Sequence, residues 1–233
     1  MGTLYLVSTP IGNLSDFSHR GVETLGGVSL VLAEDTRRTV KLLKHYEISQ
    51  PLLSYNEHNR DRRIPKILNT LSGDDDVALV SDAGTPTVSD PGYKLVRACI
   101  SEGIAVVPIP GASAVLAGLV ASGLPTDRFV FEGFLPKKKG RKTRLNVLSG
   151  EERTIILFES PERVGRTLKD CLDSFGDRPV AVCREITKLH EEIWRGRLSN
   201  GAQHFDEKKV KGEVTVLIGK DSDSVHFDEE ATR

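Results

Sequence analysis

The chain has 233 residues, which is enough for one large domain or two modest ones. Its hydrophobic content of 38% and charged content of 28% are ordinary for a globular protein, and a formal net charge of −1 excludes a global field that would recruit a polyanion. The aromatic content of 6% argues against a surface of base-stacking platforms, and no apolar run is long enough to predict a membrane span.

Cysteine usage and the first residues predict a cytoplasmic protein. The cysteines at positions 99, 171 and 183 are odd in number and have no paired close spacing, so they predict reduced, buried thiols. The chain enters an apolar strand at once, without the pattern of a secretory signal. No His or Cys cluster has the spacing of metal ligands, and we expect no catalytic metal.

Short β-branched runs alternate with helical patterns in the first half of the chain. The candidate strands are residues 4–8, 30–33, 52–55, 77–81 and 105–109. Amphipathic stretches with helical spacing lie between them, and this order predicts parallel pairing with right-handed crossovers. The ligand-binding loops of such a sheet are expected at the carboxyl ends of its strands.

Turn residues at 122–127 predict a domain boundary. We therefore expect an N-terminal α/β domain over residues 1–121 and a C-terminal α/β domain over residues 128–220. Five candidate strands with fewer helices between them predict a mixed sheet in the second domain: 129–133, 154–158, 180–184, 193–197 and 214–219. A long helix is predicted over 162–175. Residues 221–233 are acidic and poor in apolar side chains, which predicts a disordered tail.

Three small-residue loops follow predicted strands of the first domain, at residues 8–13, 81–86 and 108–114. Small side chains let a ligand approach the backbone, although Gly and Pro also dominate ordinary tight turns. Neither the glycine-rich loop of ATP-binding proteins nor that of dinucleotide-binding proteins occurs. Together the loops favour a nucleoside without phosphates; S-adenosylmethionine fits that description, but the pattern alone does not select it.

A basic stretch follows the first strand of the second domain and places six cations in eight positions: Lys137, Lys138, Lys139, Arg141, Lys142 and Arg144. Such a run is usually a solvated loop, but in a neutral protein it is the best phosphate-contacting patch available. Arg37 belongs to a second basic cluster with Arg38, Arg60, Arg62 and Arg63. The polar residues 56–59 beside it either bind ribose or base edges or form a polar loop.

Nine short segments carry a specific resemblance across nearly the whole chain. They are residues 6–14, 33–37, 78–86, 89–92, 108–111, 122–127, 133–137, 184–188 and 211–213, which read LVSTPIGNL, AEDTR, ALVSDAGTP, SDPG, PIPG, SGLPTD, GFLPK, REITK and KGE. In order and in sequence they resemble the motifs of the ribosomal RNA small subunit methyltransferase I family, within the tetrapyrrole methylase superfamily.

The resemblance implies a two-domain tetrapyrrole-methylase-like α/β fold, with a parallel-sheet N-terminal domain, a mixed-sheet C-terminal domain and the cofactor cleft between them. It implies S-adenosylmethionine-dependent 2′-O-methylation of a cytidine ribose in the decoding region of small-subunit (16S) ribosomal RNA, either free or in the assembled 30S subunit. It also implies a cytoplasmic homodimer with no membrane association. Cofactor contacts carry over as Pro10, Gly12, Gly84, Thr85, Val88, Ser113, Ala114, Phe158, Ile186 and Gly212.

A ribose 2′-hydroxyl is a poor nucleophile near neutral pH and benefits from a general base. The candidates are Asp82, Asp35 and Glu34, all at predicted strand ends of the first domain. Capping explains two of them equally well, because Asp82 suits an Asx turn and Asp35 suits a helix N-cap.

Two other functions stay open. A tetrapyrrole or corrinoid-precursor methyltransferase has the same fold, but tetrapyrrole enzymes carry an acidic residue after the first loop's Pro-Gly, where this chain has Gly12 and Asn13. A non-catalytic RNA-binding assembly protein would keep the basic stretch without needing three cofactor loops.

Overall fold

The computed structural model describes residues 1–220 and Phe227, which form two compact units divided between Ser113 and Ala114. The predicted acidic tail at 221–233 lies outside the described residues except for Phe227. In the described part of the chain, no helix has the length and apolar character needed to cross a membrane.

The first unit is a five-stranded sheet with four helices. Its elements are β1 Leu4–Val7, α1 His19–Gly27, β2 Leu30–Ala33, α2 Thr36–His45, β3 Leu52–Ser54, α3 Arg60–Ser72, β4 Val77–Val80, α4 Tyr93–Ser101 and β5 Val106–Ile109. The strands run in the order β3-β2-β4-β1-β5, and every pair is parallel. The predicted parallel sheet is therefore confirmed, and β4 at its centre is buried along its whole length.

Alternation along the strands sends apolar side chains to both faces of this sheet. Helices α1 and α2 cover one face, where Leu25 and Leu43 pack with Val7. Helices α3 and α4 cover the other, where Ile67 and Leu95 pack among the opposite side chains of the strands. The loop after β4 thus leads to a different face from the loops after its neighbours β1 and β2. Ligands bind where loops diverge in this way.

The second unit is a mixed sheet with four helices. Its elements are α5 Ala114–Ser122, β6 Phe129–Phe134, α6 Arg141–Leu148, β7 Thr154–Glu159, α7 Val164–Phe175, β8 Pro179–Arg184, β9 Glu192–Arg197, α8 Leu198–Glu207 and β10 Val214–Ile218. The strands run in the order β6-β7-β10-β8-β9; the β6–β7 pair is parallel and the other pairs are antiparallel. The predicted mixed sheet is confirmed.

Helix α5 lies with the second unit, whereas the sequence placed it in the first. Val115 and Leu119 on α5 pack against Leu217 of β10 and Cys183 of β8. The helix is apolar on all sides, so its sequence carries no directional signal that shows which sheet it covers. The turn residues at 122–127 end this helix; the division between the units comes before it.

Candidate functional site

The structure brings the three small-residue loops of the first unit together. Thr9 and Gly84 exchange backbone hydrogen bonds, with Thr9 N donating to Gly84 O at 2.9 Å and Gly84 N donating to Thr9 O at 3.0 Å. The hydroxyls of Ser8 and Thr85 lie 3.0 Å apart. The third loop joins through Gly111, where a Cβ would lie 2.9 Å from Ser8 Cβ. Close contact with Ser8 therefore explains why position 111 is a glycine.

The loop after β4 has an unusual backbone. Gly84 has a φ of +79°, while Thr87 and Ser89 have φ values of +74° and +61°. Positive φ is uncommon for a non-glycine residue and is unfavourable for a β-branched one such as Thr87. Such conformations persist where surrounding structure enforces them, often at ligand sites. Val88 stands between the two strained residues and exposes 39% of its surface, which suits an apolar contact with a ligand.

The remaining predicted cofactor residues of the first unit lie on or beside these loops. Pro10 follows the bridge made by Thr9 and is half-buried, and Gly12 is exposed two residues later. Asn13 caps the short turn that comes next, because its side chain accepts a hydrogen bond from Ser15 N at 3.0 Å. Ser113 ends the third loop.

Asp35 acts as a helix cap and an ion-pair partner. Its carboxylate accepts a bond from Arg37 N at 2.9 Å at the start of α2 and pairs with the Arg37 guanidinium at 2.6 Å. The hydrogen bonds and charge of Arg37 lower the pKa of Asp35 to about 2. A carboxylate with so low a pKa is a weak base, and Arg37, predicted to contact RNA, is engaged by it.

Two neighbouring carboxyls hold protons more tightly than usual. Burial, with the charges of Asp90 and Asp82, raises the pKa of Glu34 to about 7. Burial, with a smaller contribution from Asp82, raises the pKa of Asp90 to about 6. A carboxyl that titrates near neutrality suits general-base catalysis. Sequence reasoning included Glu34 but missed Asp90, whose only signal was its place in the SDPG segment.

Asp82 links these groups to α2. Its Oδ1 accepts a hydrogen bond from Asp35 N at 3.0 Å, and its Oδ2 lies 3.5 Å from Nε of Arg38. Asp82 therefore ties the loop after β4 to the start of α2. The three predicted catalytic carboxylates belong to one cluster, in which Asp82 holds the loops and Glu34 has the pKa of a base.

In the second unit, three predicted cofactor residues stand at one edge of the sheet. Phe158 lies near the end of β7, Ile186 follows the end of β8 and Gly212 precedes β10; Val214, the first residue of β10, pairs with the last residues of both other strands. The fourth, Ala114, begins α5 on the same sheet. Phe158 also contacts the ring of Phe131 at 4.9 Å between centroids.

The carboxylate of Glu185 fixes this edge. It accepts bonds from Lys188 Nζ at 2.8 Å and from Glu213 N at 3.0 Å. A Cβ on Gly212, whose φ is +92°, would lie 2.3 Å from Glu185 Cδ. Glu185 and Thr187 both have positive φ and flank Ile186. Sequence reasoning missed Glu185, although it lies in the REITK segment.

The basic stretch divides into exposed and engaged cations. Lys137, Lys138, Lys139 and Lys142 are exposed. Arg141 departs from the expectation: it is buried, pairs with Asp170 at 2.7 Å and donates to Thr167 Oγ1 at 2.8 Å. Arg144 pairs with Glu132.

Residues 56–59 form a polar loop that is held by hydrogen bonds among its own residues. Asn56 Oδ1 accepts bonds from the backbone N–H groups of His58 and Asn59, and Asn59 Oδ1 accepts one from Asn56 N. These bonds support the interpretation as a polar loop that starts α3.

Comparison with known proteins gives a consistent result. A family model described as Tetrapyrrole (Corrin/Porphyrin) Methylases matches residues 3–201. A Thermotoga maritima protein named Ribosomal RNA small subunit methyltransferase I is 52% identical over 218 residues, which cover 94% of this chain and 98% of that protein. A Synechocystis protein of the same name is 51% identical over an alignment that covers 100% of this chain and 85% of that protein.

Solved structures show the same fold at lower identity. Uroporphyrin-III C-methyl transferase from Thermus thermophilus, complexed with S-adenyl homocysteine, has a TM-score of 0.67 at 20% identity and covers 94% of this chain and 97% of its own. A cobalt precorrin-4 methyltransferase has a TM-score of 0.70 at 19% identity, covering 93% and 94%. At these identities the likeness concerns the fold.

Proposed function

Because the chain belongs to the tetrapyrrole methylase family, and within it to the ribosomal RNA small subunit methyltransferase I proteins, we propose that it methylates the 2′-hydroxyl of a cytidine in the decoding region of small-subunit ribosomal RNA. The methyl donor is S-adenosylmethionine. The observation that carries the proposal is the meeting of three small-residue loops beside a carboxyl with a pKa of about 7.

The residues present fit this cofactor. Gly84 leaves its loop without a side chain, and its φ of +79° is one that glycine adopts without strain. Thr85 and Val88 of the same loop then offer a hydroxyl and apolar surface, and Pro10 offers apolar surface from the loop after β1. In the second unit, Phe158 and Ile186 offer apolar surface at one edge of the sheet, where Gly212 makes room for the Glu185 carboxylate that fixes the edge. When bound, S-adenosylmethionine supplies an electrophilic sulfonium methyl group.

Glu34 is the general base in this proposal. A carboxylate with a pKa of about 7 is ionised in a useful fraction of molecules at neutral pH and can take the hydroxyl proton as the nucleophile attacks. Asp90 and Asp82 raise that pKa by their charge. Asp35 positions α2 through its cap and takes no part in proton transfer.

The exposed lysines of the basic stretch attract the RNA. The exposed cations of that stretch are Lys137, Lys138, Lys139 and Lys142. Each contact between one of these lysines and an RNA phosphate releases counterions, which favours binding. The enzyme acts in the cytoplasm as a homodimer in this proposal, on the RNA or the assembled 30S subunit.

The decisive experiment maps methylated nucleosides by mass spectrometry in ribosomal RNA from cells with and without the protein. We expect one 2′-O-methylcytidine to disappear from small-subunit RNA, and the purified protein with S-adenosylmethionine to restore it. Unchanged nucleosides in the deficient cells would contradict the proposal. Methyl transfer to a uroporphyrinogen or corrinoid precursor instead would favour the tetrapyrrole alternative, and failure to bind S-adenosylmethionine would favour a non-catalytic RNA-binding protein.

The triple substitution of Lys137, Lys138 and Lys139 by Ala tests the RNA surface. Binding of small subunits should weaken, and its log–log dependence on salt should flatten by up to about two units, at about 0.7 for each phosphate that a lysine no longer neutralises. Cofactor affinity should stay the same. Normal apparent affinity at every salt concentration would show that these lysines are only solvated.

A further inference from the structure

A recess opens in the first unit at the carboxyl end of β4. Three elements line it: the loop after β1, helix α2 and the loop after β4. Its polar and charged lining residues are Thr9, Arg38, Thr39, Lys41, Ser81 and Asp82, and Pro10 lines it as well. It lies where the loop after β4 turns to the opposite face of the sheet from its neighbours, which is the position where open parallel sheets form binding crevices.

The recess carries two cations from one helix. Arg38 and Lys41 are three residues apart on α2, so both side chains project from the same side of that helix. Both residues are exposed. The two lining cations can approach one anion together, and this geometry suits a phosphate group better than it suits an uncharged ligand.

Asp82 positions one of these cations. Its Oδ2 lies 3.5 Å from Arg38 Nε, and its Oδ1 is itself fixed by the hydrogen bond from Asp35 N. A guanidinium has four further N–H donors on its two terminal amino groups. The carboxylate therefore pairs with the guanidinium at Nε, and the terminal amino groups can donate to an acceptor such as a phosphate oxygen.

We propose that this recess is a subsite for the RNA phosphodiester next to the methylated ribose, with Arg38 and Lys41 contacting the phosphate oxygens and Asp82 positioning Arg38. The inference rests on the proposed function and extends it to a surface separate from the basic stretch. Pro10 belongs both to the recess and to the loop proposed to hold the cofactor. A phosphate held here places its ribose beside that loop, so the contact selects an acceptor position along the RNA as well as adding affinity.

The test uses single and double substitutions of Arg38 and Lys41 by Gln, with Lys44→Gln as the matched control. Lys44 is an exposed lysine on the same helix that does not line the recess. Binding of small subunits isolated from cells lacking the protein is measured between low and moderate salt. Methyl incorporation and cofactor affinity are measured separately on the same samples.

Each single variant should weaken binding about tenfold at low salt and flatten the log–log salt slope by about 0.7, and the double variant should flatten it by about twice as much. The control should flatten the slope less than either single variant. Cofactor affinity within twofold of wild type would verify that the variants are folded.

The inference is overturned if the double variant has the same slope and affinity as Lys44→Gln. This outcome can be distinguished from failure of the proposed function, in which the wild-type protein would transfer no methyl group to the subunits while its binding still responded to the substitutions. If the substitutions instead weakened only the binding of a porphyrinoid carboxylate, such as uroporphyrinogen, the recess would take carboxylates and the phosphate assignment would be wrong.

Discussion

Replacing Gly212 by Ala tests how the second unit holds its edge near Ile186. The new methyl group would lie 2.3 Å from both Cδ and Oε1 of Glu185, a distance at which the carboxylate must move. Moving it breaks the bonds from Lys188 Nζ and Glu213 N, at 2.8 and 3.0 Å. The substituted residue must also keep a φ of +92°, which only glycine adopts without strain.

The two effects have separable magnitudes. An L-residue in the left-handed region costs about 1–2 kcal/mol. Displacing a largely buried carboxylate from two charge-assisted bonds costs about 1–2 kcal/mol more, after a discount for solvent at this surface edge. We therefore expect Gly212→Ala to lower the free energy of unfolding by about 2–4 kcal/mol. Because Ile186 directly follows Glu185, affinity for S-adenosylmethionine should fall by at least about tenfold.

A double-mutant cycle with Glu185→Ala isolates the contact. In the double variant no carboxylate stands in the way of the methyl group, so only the backbone cost of Gly212→Ala remains, and the coupling should be about 1–2 kcal/mol. Denaturant unfolding and calorimetry of cofactor binding provide the two readouts. Gly150→Ala is the matched control, because a Cβ there meets nothing within 4 Å, and its effect should stay below about 0.5 kcal/mol.

Additive effects of the two substitutions, or a cost of Gly212→Ala below about 0.5 kcal/mol, would refute the reasoning. Either result would mean that Glu185 does not fix the position of the loop before β10.

The remaining predictions concern the acidic cluster and the basic stretch. Glu34→Gln should lower turnover about 10²–10⁴-fold with little change in cofactor affinity. Asp35→Asn can still cap α2 and should retain most of the wild-type turnover. Equal losses of turnover in single-turnover assays of the two variants would reject Glu34 as the base. Wild-type turnover should rise with pH through about 7, the pKa of Glu34. Since folding raises that pKa from 4.5, the folded state binds the proton more tightly than the unfolded state does. The contribution of Glu34 to the free energy of unfolding therefore falls as pH rises from 4.5 to about 7. A pH series of unfolding curves should show this decline in the wild-type protein and not in Glu34→Gln. Arg141→Ala should lower the free energy of unfolding by about 2–3 kcal/mol, because it removes the bonds that buried Arg141 makes to Asp170 and to buried Thr167. Exposed Lys142→Ala should change it by less than about 0.5 kcal/mol, and similar unfolding curves for the two variants would contradict this role of Arg141.

The sequence predicted the strands well because their signal is local. Short β-branched runs bounded by turn residues placed all ten strands of the described residues within two residues of their observed ends. Their order along the chain then predicted one parallel and one mixed sheet. The meeting of the three loops followed from parallel topology alone, since carboxyl ends of parallel strands share one edge.

What the sequence did not predict depends on packing between distant residues. A uniformly apolar helix such as α5 fits either core, so its partner sheet becomes evident only in three dimensions. Arg141 lies in a run of cations with nothing to mark its inward direction; its buried partner Thr167 is 26 residues away. The pKa of Asp90 is raised by burial, a property that a sequence pattern does not carry.

The position of β10 has a consequence for how the chain acquires its structure during translation. This strand is the last of the second sheet in sequence, yet it lies in the middle, between β7 and β8, and pairs with both along its length. Until residues 214–218 leave the ribosomal exit tunnel, β7 and β8 each lack a neighbour and expose a row of unpaired backbone groups. The first unit can complete its parallel sheet as soon as β5 has emerged, since both partners of β1 are then available. We therefore expect vectorial folding, in which the N-terminal unit matures first on the nascent chain and the C-terminal unit waits until β10 has emerged.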